Sequence, residues 1–216
     1  MSVVRSFEQF ADRYCSGSII KVNPEYFTEG SVCMTRVPVC YGYNQEIFSI
    51  FNEMFYDGSL VNLTIETGLT KSDRDQTLLL YPADGVARMS GCSPYNLSEA
   101  GICLELVKEL IEDGLSGHRM GVLTTYCAQK KKISCLVQSE SQCSNVTVGI
   151  MEDFENKTCD CLIISKVETS ERSRSGKRYP FDDLLYDKLC FNLAITRAKS
   201  KIILVGDRDV LGNIDH

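Results

Sequence analysis

The feature that most constrains this chain is an alternation of apolar, strand-like segments with amphipathic, helix-like segments. Strands are predicted at residues 77–81, 120–125, 146–150, 161–165 and 201–205. Helices are predicted between them at residues 96–114, 126–137 and 185–199. Strands joined through helices need crossover connections, so we predict an α/β fold with a mainly parallel sheet and helices on both faces.

Two more helices are predicted ahead of this pattern. Residues 6–14 place Phe7, Phe10 and Ala11 at helical spacing, and the apolar face of residues 45–60 stops at an Asp-Gly pair. We expect residues 1–20 to be a helical lead-in left from a preceding domain. Residues 21–216 are then expected to form the main domain.

One segment interrupts the alternation. Residues 167–183 are rich in charge, serine and glycine, and contain the basic sequence SRSGKR. Such a composition cannot bury much and favours a solvated surface loop. A contact with a nucleic-acid backbone is the alternative, because ligand-binding loops follow strand ends in folds of this kind.

Charge and cysteine usage narrow the functional classes. The chain has 23 basic and 29 acidic residues, a net charge of −6, so nucleic-acid contact requires a local patch. No signal peptide or membrane-spanning run is visible, which predicts a reducing cytoplasmic or nuclear protein that is neither secreted nor membrane-bound. Four glycosylation sequons leave an extracellular protein as the alternative.

The 11 cysteines include no CxxC pair, so buried thiols are expected rather than a metal site.

The strongest local signal is the sequence NLAITRAK at residues 192–199, which a predicted strand follows directly. An arginine at such a junction suits a phosphate, because its planar guanidinium donates two parallel hydrogen bonds. The alternative for Arg197 is a surface ion pair with an acid such as Asp160 or Asp207.

That sequence, extended to residue 207, resembles the sixth motif of superfamily 1 helicases of the nonsense-mediated-decay and RNA-silencing type. Residues 6–10, 54–60, 90–114 and 120–130 resemble other segments of the same family in the same order. The resemblance implies the second RecA-like domain of such a helicase. It also implies a nucleotide contact through Arg197 and Gln129. The nucleic-acid contacts that it implies are Thr124, Thr125, Tyr126, Lys130 and Thr196.

The chain departs from the family at three motifs. Gly42 stands where the family has a phosphate-binding arginine, and Leu189 and Cys190 replace a paired arginine before Asn192. The fifth motif keeps only Phe154 and Asp160. Contacts with nucleotide and strand are therefore reduced relative to the family pattern.

The sequence also contains no G-x-x-x-x-G-K-[ST] phosphate loop and no acidic Mg²⁺-binding strand. We therefore predict a module without ATPase activity of its own, which binds single-stranded RNA or DNA with modest affinity or docks on another protein. The alternative is the second motor domain of an active helicase. In that case ATP and Mg²⁺ are cofactors only once a P-loop RecA-like domain completes the site.

Overall fold

The computed structural model describes residues 39–63, 76–167 and 188–206. The expected helix at 6–14, the lead-in at 1–20, the SRSGKR segment and Asp207 lie outside the described residues. In chain order, the elements of the described residues are β1 Val39–Tyr41, α1 Gln45–Tyr56, β2 Val61–Leu63, β3 Leu78–Pro82, β4 Arg88–Ser90, β5 Ser93–Tyr95, α2 Leu97–Glu112, β6 Met120–Thr124, α3 Cys127–Ser139, β7 Thr147–Gly149, β8 Cys159–Ser165, α4 Lys188–Ile195 and β9 Ala198–Gly206.

Five strands form one parallel sheet in the order β3-β9-β8-β6-β7. This confirms the predicted α/β architecture. The apolar runs of β6 and β8 are buried along nearly their whole length, as expected for central strands covered on both sides. All five strands run in one direction, so the sheet has an amino edge, where the strands begin, and a carboxyl edge, where they end.

Helices cover both faces of the sheet. The helices α1 and α4 pack on one face, in a core that includes Phe51, Phe154 and Phe191. The other face is covered by α2 and α3, whose core includes Val107, Ile133 and Ile163. Burial of these apolar faces is the main stabilising contribution to the fold.

The predicted helix ends are largely confirmed. The α1 helix ends at Tyr56, and Asp57, which follows it, adopts a left-handed backbone with φ 52°. The α2 helix begins after Asn96, whose side chain accepts hydrogen bonds from the amides of Ser98 and Glu99.

The last predicted helix is shorter than expected. It ends at Ile195, and Ala198 and Lys199 belong to β9. The Cys159 amide of β8 donates to the Arg197 carbonyl, and the Asn44 amide, just before α1, donates to the Lys199 carbonyl. Tertiary pairing therefore overrides the helical propensity of alanine and lysine.

Two small sheets were not predicted. The parallel pair β1–β2 and the antiparallel pair β4–β5 consist of strands of three residues each. The strands β1 and β2 expose Tyr41, Val61 and Leu63. Such short strands carry too little alternation to stand out from a loop.

Candidate functional site

Arg197 lies at the amino edge of the sheet, in the turn between α4 and β9. Its Nε donates to the Leu193 carbonyl at 3.1 Å and its Nη2 to the Thr196 hydroxyl at 3.3 Å. The side chain is thus oriented by neutral acceptors. Within the described ranges no carboxylate forms an ion pair with it, and Asp160 pairs with Arg119 instead.

The segment around Gly42 packs directly against this turn. The Tyr43 hydroxyl donates to the Thr196 carbonyl at 3.0 Å, and the Tyr43 ring meets Phe51 edge-on at 5.2 Å. Burial raises the pKa of Tyr43, and the nearby positive charge of Arg197 partly offsets that effect. The structure therefore brings Gly42 and Arg197 to the same edge, as the motif order implies.

Gly42 itself has a left-handed backbone, with φ 77°, and a Cβ placed there would have no heavy atom within 4 Å. Space for a side chain is present. The backbone conformation, however, costs an L-residue about 1–2 kcal/mol. The backbone conformation at this position favours glycine, so replacing Gly42 by arginine would strain the backbone.

The carboxyl edge holds the other predicted residues. Thr124 ends β6 and is fully buried, and its hydroxyl has no hydrogen-bond partner among the residues that the structure describes. Tyr126 is 7% exposed, whereas Thr125 is half-buried. Lys130, in the first turn of α3, pairs with Asp153 at 2.6 Å. Thr125 and Lys130 therefore offer more accessible side chains than Thr124 and Tyr126.

Gln129 belongs to a buried polar network at this edge. Its Oε1 accepts from the Asn96 amide at 2.9 Å, and its Nε2 donates to the Asn96 carbonyl at 3.1 Å and the Ser165 hydroxyl at 3.0 Å. The side chain is fully buried. Its amide hydrogens are committed inside the protein, so in this conformation Gln129 links α2, α3 and β8 instead of presenting itself to a ligand.

Glu99 is the centre of the same network, and the sequence analysis did not identify its role. Its Oε2 accepts from the Ser165 hydroxyl at 2.7 Å and the Val167 amide at 3.0 Å, and its Oε1 accepts from Asn96 Nδ2 at 3.3 Å. The sequence analysis placed Glu99 only within the predicted helix at residues 96–114. The overlooked signal is spacing, since Glu99, Cys103 and Leu106 fall on one helical face and both later residues are core residues.

Burial strongly affects the acidity of this carboxyl group. Desolvation raises the pKa of Glu99 to about 7, against the lowering effects of the Val167 amide, the Ser165 hydroxyl and the Lys166 charge. A buried carboxylate is costly unless donors surround it, and three donors do so here.

The two edges are far apart. Ser165, which bonds Gln129, ends β8, and Cys159, which bonds the Arg197 carbonyl, begins it. A strand of this length spans roughly 20 Å. Gln129 and Arg197, both expected to contact a nucleotide, therefore lie at opposite edges of the sheet. Thr196 likewise lies beside Arg197, away from Thr124.

Phe154, kept from the fifth motif, is a core residue. It is 1% exposed and lies against Gly121 of β6, where an added Cβ would come within 2.6 Å of the Phe154 ring. The buried Cys159 and Cys161 behave as small apolar side chains, and burial raises the pKa of both to about 12.

The described residues lack two other kinds of feature. Among the described residues, no group of three or more His, Cys, Asp or Glu side chains could hold a metal ion. No helix in the same residues is long and apolar enough to cross a membrane.

Comparisons with known proteins agree with the motif pattern. A family model described as "AAA domain" matches residues 25–209. Regulator of nonsense transcripts 1 of Caenorhabditis elegans is 28% identical over 199 residues, covering 83% of this chain and 18% of the relative. An uncharacterized ATP-dependent helicase of Methanocaldococcus jannaschii is 29% identical over 210 residues, covering 89% and 28%. The ATP-dependent helicase NAM7 of Saccharomyces cerevisiae is 26% identical over 190 residues, covering 80% and 18%. The chain thus spans less than a third of each relative's length.

Proposed function

This chain belongs to the AAA domain family, as a second RecA-like domain of the superfamily 1 helicase type, and from that premise we propose a two-edged binding module. Its carboxyl edge binds single-stranded nucleic acid. Its amino edge docks on a P-loop RecA-like domain and presents Arg197 to a nucleotide held there. The chain does not hydrolyse ATP by itself.

The observation that carries the amino-edge proposal is the state of Arg197. Its guanidinium is held by a carbonyl and a hydroxyl and is not neutralised by a carboxylate of the described residues. A pre-oriented, uncompensated guanidinium matches the charge and geometry of a phosphate.

The described residues fit only part of a nucleotide site. Arg197 would hold a phosphate oxygen of ATP, and Gly42 adds no second positive charge. Bound ATP with Mg²⁺ supplies the transferable phosphoryl group, whose reaction needs metal coordination and an oriented water molecule. Residues for those tasks must come from a P-loop domain.

The first prediction from this proposal is that the chain has no ATPase activity by itself. The purified 216-residue chain is expected to show no ATP turnover above buffer, with or without RNA, because one arginine provides neither the phosphate cradle nor the metal site. Release of inorganic phosphate measures this. Turnover that Arg197→Ala abolishes would refute the proposal, whereas turnover that survives Arg197→Ala indicates a contaminating ATPase.

The carboxyl-edge proposal rests on accessibility and charge. Thr125 is half-buried at the end of β6, and the first turn of α3 brings Lys130 next to it, with the exposed Lys131 following. We propose that these residues contact the strand, while Thr124, Tyr126 and Gln129 shape the loop from beneath. Lys130 exchanges its pairing with Asp153 for a phosphate, an exchange that costs little because exposed ion pairs contribute only about 0–1 kcal/mol.

Salt dependence tests this contact. We expect labelled single-stranded oligonucleotides to bind with modest affinity. We expect Lys130→Ala to reduce the magnitude of the slope of log binding constant against log salt concentration by about 0.7, the value for one phosphate contact on a single strand. Fluorescence anisotropy at several salt concentrations measures both quantities.

The chain offers a matched control for that substitution. Lys108 pairs with Glu140 at 2.5 Å, with side-chain exposures of 32% and 38%, close to the 33% and 36% of the Lys130–Asp153 pair. Lys108 lies in the later half of α2, away from the carboxyl edge. Lys108→Ala is expected to leave the slope unchanged. Equal effects of the two substitutions would contradict a specific strand contact.

A second candidate function is that of a motor domain in an active helicase. The orientation of Arg197 by neutral acceptors is compatible with it, because a phosphate ligand at the amino edge serves ATP hydrolysis once a P-loop domain completes the site. In the natural protein, Arg197→Ala would then abolish RNA-stimulated ATP hydrolysis. A binding module that has lost motor function predicts no such hydrolysis to abolish.

A further inference from the structure

We propose that the hairpin of β4 and β5 adds a second phosphate subsite to the strand-binding edge, formed by Arg88 and Lys132 beside the ring of Tyr95. The group bound there is a backbone phosphate of a single-stranded nucleic acid. This inference rests on the proposed function of the carboxyl edge and names a contact beyond Thr125 and Lys130.

The hairpin is anchored on the first turn of α3. The Ser93 hydroxyl of β5 accepts a hydrogen bond from the Ala128 amide at 3.0 Å. The Asn96 amide, directly after β5, donates to Gln129 Oε1 at 2.9 Å. Both contacts hold β5 where α3 begins, so the hairpin lies at the carboxyl edge, next to the proposed contact at Thr125.

Two positive side chains meet at one aromatic ring of the hairpin. Lys132 of α3 places its Nζ 5.0 Å from the centre of the Tyr95 ring. The register of the hairpin pairs Arg88 with Tyr95, and directly opposed residues extend from the same face with Cβ atoms about 4.5–5.5 Å apart. Arg88 and Lys132 are both exposed, so a ligand can reach both charges from solvent.

The charge around this ring is of one sign. Within the described ranges no carboxylate forms an ion pair with Arg88 or Lys132. Acidic residues outnumber basic ones in the whole chain by 29 to 23, yet residues 88–95 and α3 contain no acidic residue. Their basic residues are Arg88, Lys130, Lys131 and Lys132. This is the local patch that a chain of net charge −6 needs for nucleic-acid contact.

Helix geometry separates this subsite from the contact at Lys130. Residues two positions apart on an α-helix point about 200° apart, which places Lys130 and Lys132 on nearly opposite sides of α3. Lys130 pairs with Asp153, after β7, whereas Lys132 reaches the hairpin. A nucleic-acid strand that contacts both lysines therefore crosses the first turns of α3 and presents a different phosphate to each. The combination of cations with an aromatic surface along such a path is typical of single-strand binding.

The test measures the salt dependence of binding for fluorescein-labelled oligouridylate and oligothymidylate. The double variant Arg88→Gln/Lys132→Gln is expected to reduce the magnitude of the slope of log binding constant against log salt concentration by about 0.7, the value for one phosphate contact. Adding Lys130→Ala is expected to bring the reduction to about 1.4, because two separate phosphates are then lost. Both probes should show the same loss. A loss confined to one probe would indicate a sugar contact and overturn the phosphate assignment.

A matched control removes two positive charges elsewhere. Lys157 is exposed just before β8, at the amino edge, and Lys108 lies away from the carboxyl edge. The variant Lys108→Gln/Lys157→Gln is expected to leave the slope unchanged, and an equal reduction would show that only the net charge matters. The variant Arg88→Lys/Lys132→Arg keeps both charges and is expected to keep the wild-type slope.

The outcomes separate this inference from the proposed function. If Lys130→Ala lowers the slope but Arg88→Gln/Lys132→Gln does not, the hairpin subsite is refuted and strand binding stands. If no oligonucleotide binds, strand binding is refuted and the subsite with it. An acidic peptide is the alternative occupant of the patch. Oligoglutamate that displaces the labelled strands as well as an unlabelled oligonucleotide of equal charge would assign the patch to such a peptide and overturn the proposal.

Discussion

Replacing Phe154 by alanine is expected to lower the free energy of unfolding by about 3–5 kcal/mol, the usual cost of removing a fully buried aromatic side chain. Phe154 is 1% exposed and fills the space left by Gly121 beneath β6. Urea denaturation followed by circular dichroism measures the loss. Leu97→Ala, at a 49% exposed position, is the control and is expected to cost far less.

The contact with Gly121 makes the Phe154 prediction more specific. A Cβ on Gly121 would lie 2.6 Å from Phe154 Cε1 and 3.1 Å from Leu162 Cδ1, so Gly121→Ala is expected to destabilise the wild type by overpacking. In the Phe154→Ala background the same substitution has room, and its cost should fall. A double-mutant cycle that shows simple additivity would contradict direct packing of these two residues.

The packing role of Phe154 also explains why this residue of the fifth motif is present while the residues after it differ from the family pattern. Its neighbours after residue 154 face solvent up to Thr158 and are free to change without cost to the core. Phe154 is held by packing whatever the chain does with nucleotide or strand. Its retention therefore supports the fold and says little about motor activity.

The sequence predicted the parts of the fold in which hydrophobic pattern and terminators agree. The five strands of the parallel sheet were predicted from apolar runs, and Asn96 and the Asp57-Gly58 pair mark a helix start and a helix end. It did not predict β1, β2, β4 and β5, because strands of three residues carry almost no periodic signal. The early start of β9 depends on pairing with residues far away in the chain, which local propensity does not encode.

The sequence analysis named the candidate site residues but did not assign them to the two edges of the sheet. In a parallel sheet, residues that precede a strand lie at the amino edge and residues that follow one lie at the carboxyl edge. Arg197 precedes β9, whereas Gln129 follows β6. Chain order alone was therefore sufficient to separate them. The buried network around Glu99 could not be derived in this way, because it depends on which side chains meet across three elements.

Replacing Gln129 by methionine is expected to lower the free energy of unfolding by about 2–4 kcal/mol, since methionine keeps the volume but removes three buried hydrogen bonds. The Asn96 carbonyl keeps a bond from the Ala100 amide, and Ser165 still donates to Glu99. The Asn96 amide loses its acceptor inside the protein, where water cannot replace it.

Gln138→Met on the same helix is the matched control for Gln129→Met. Gln138 is exposed, so its replacement is expected to change the free energy of unfolding by no more than about 0.5 kcal/mol. Urea denaturation of both variants decides between two roles for Gln129. A ligand contact on the surface predicts that both variants are equally stable. A buried link between α2, α3 and β8 predicts the large difference, because only Gln129→Met leaves a backbone donor buried without an acceptor.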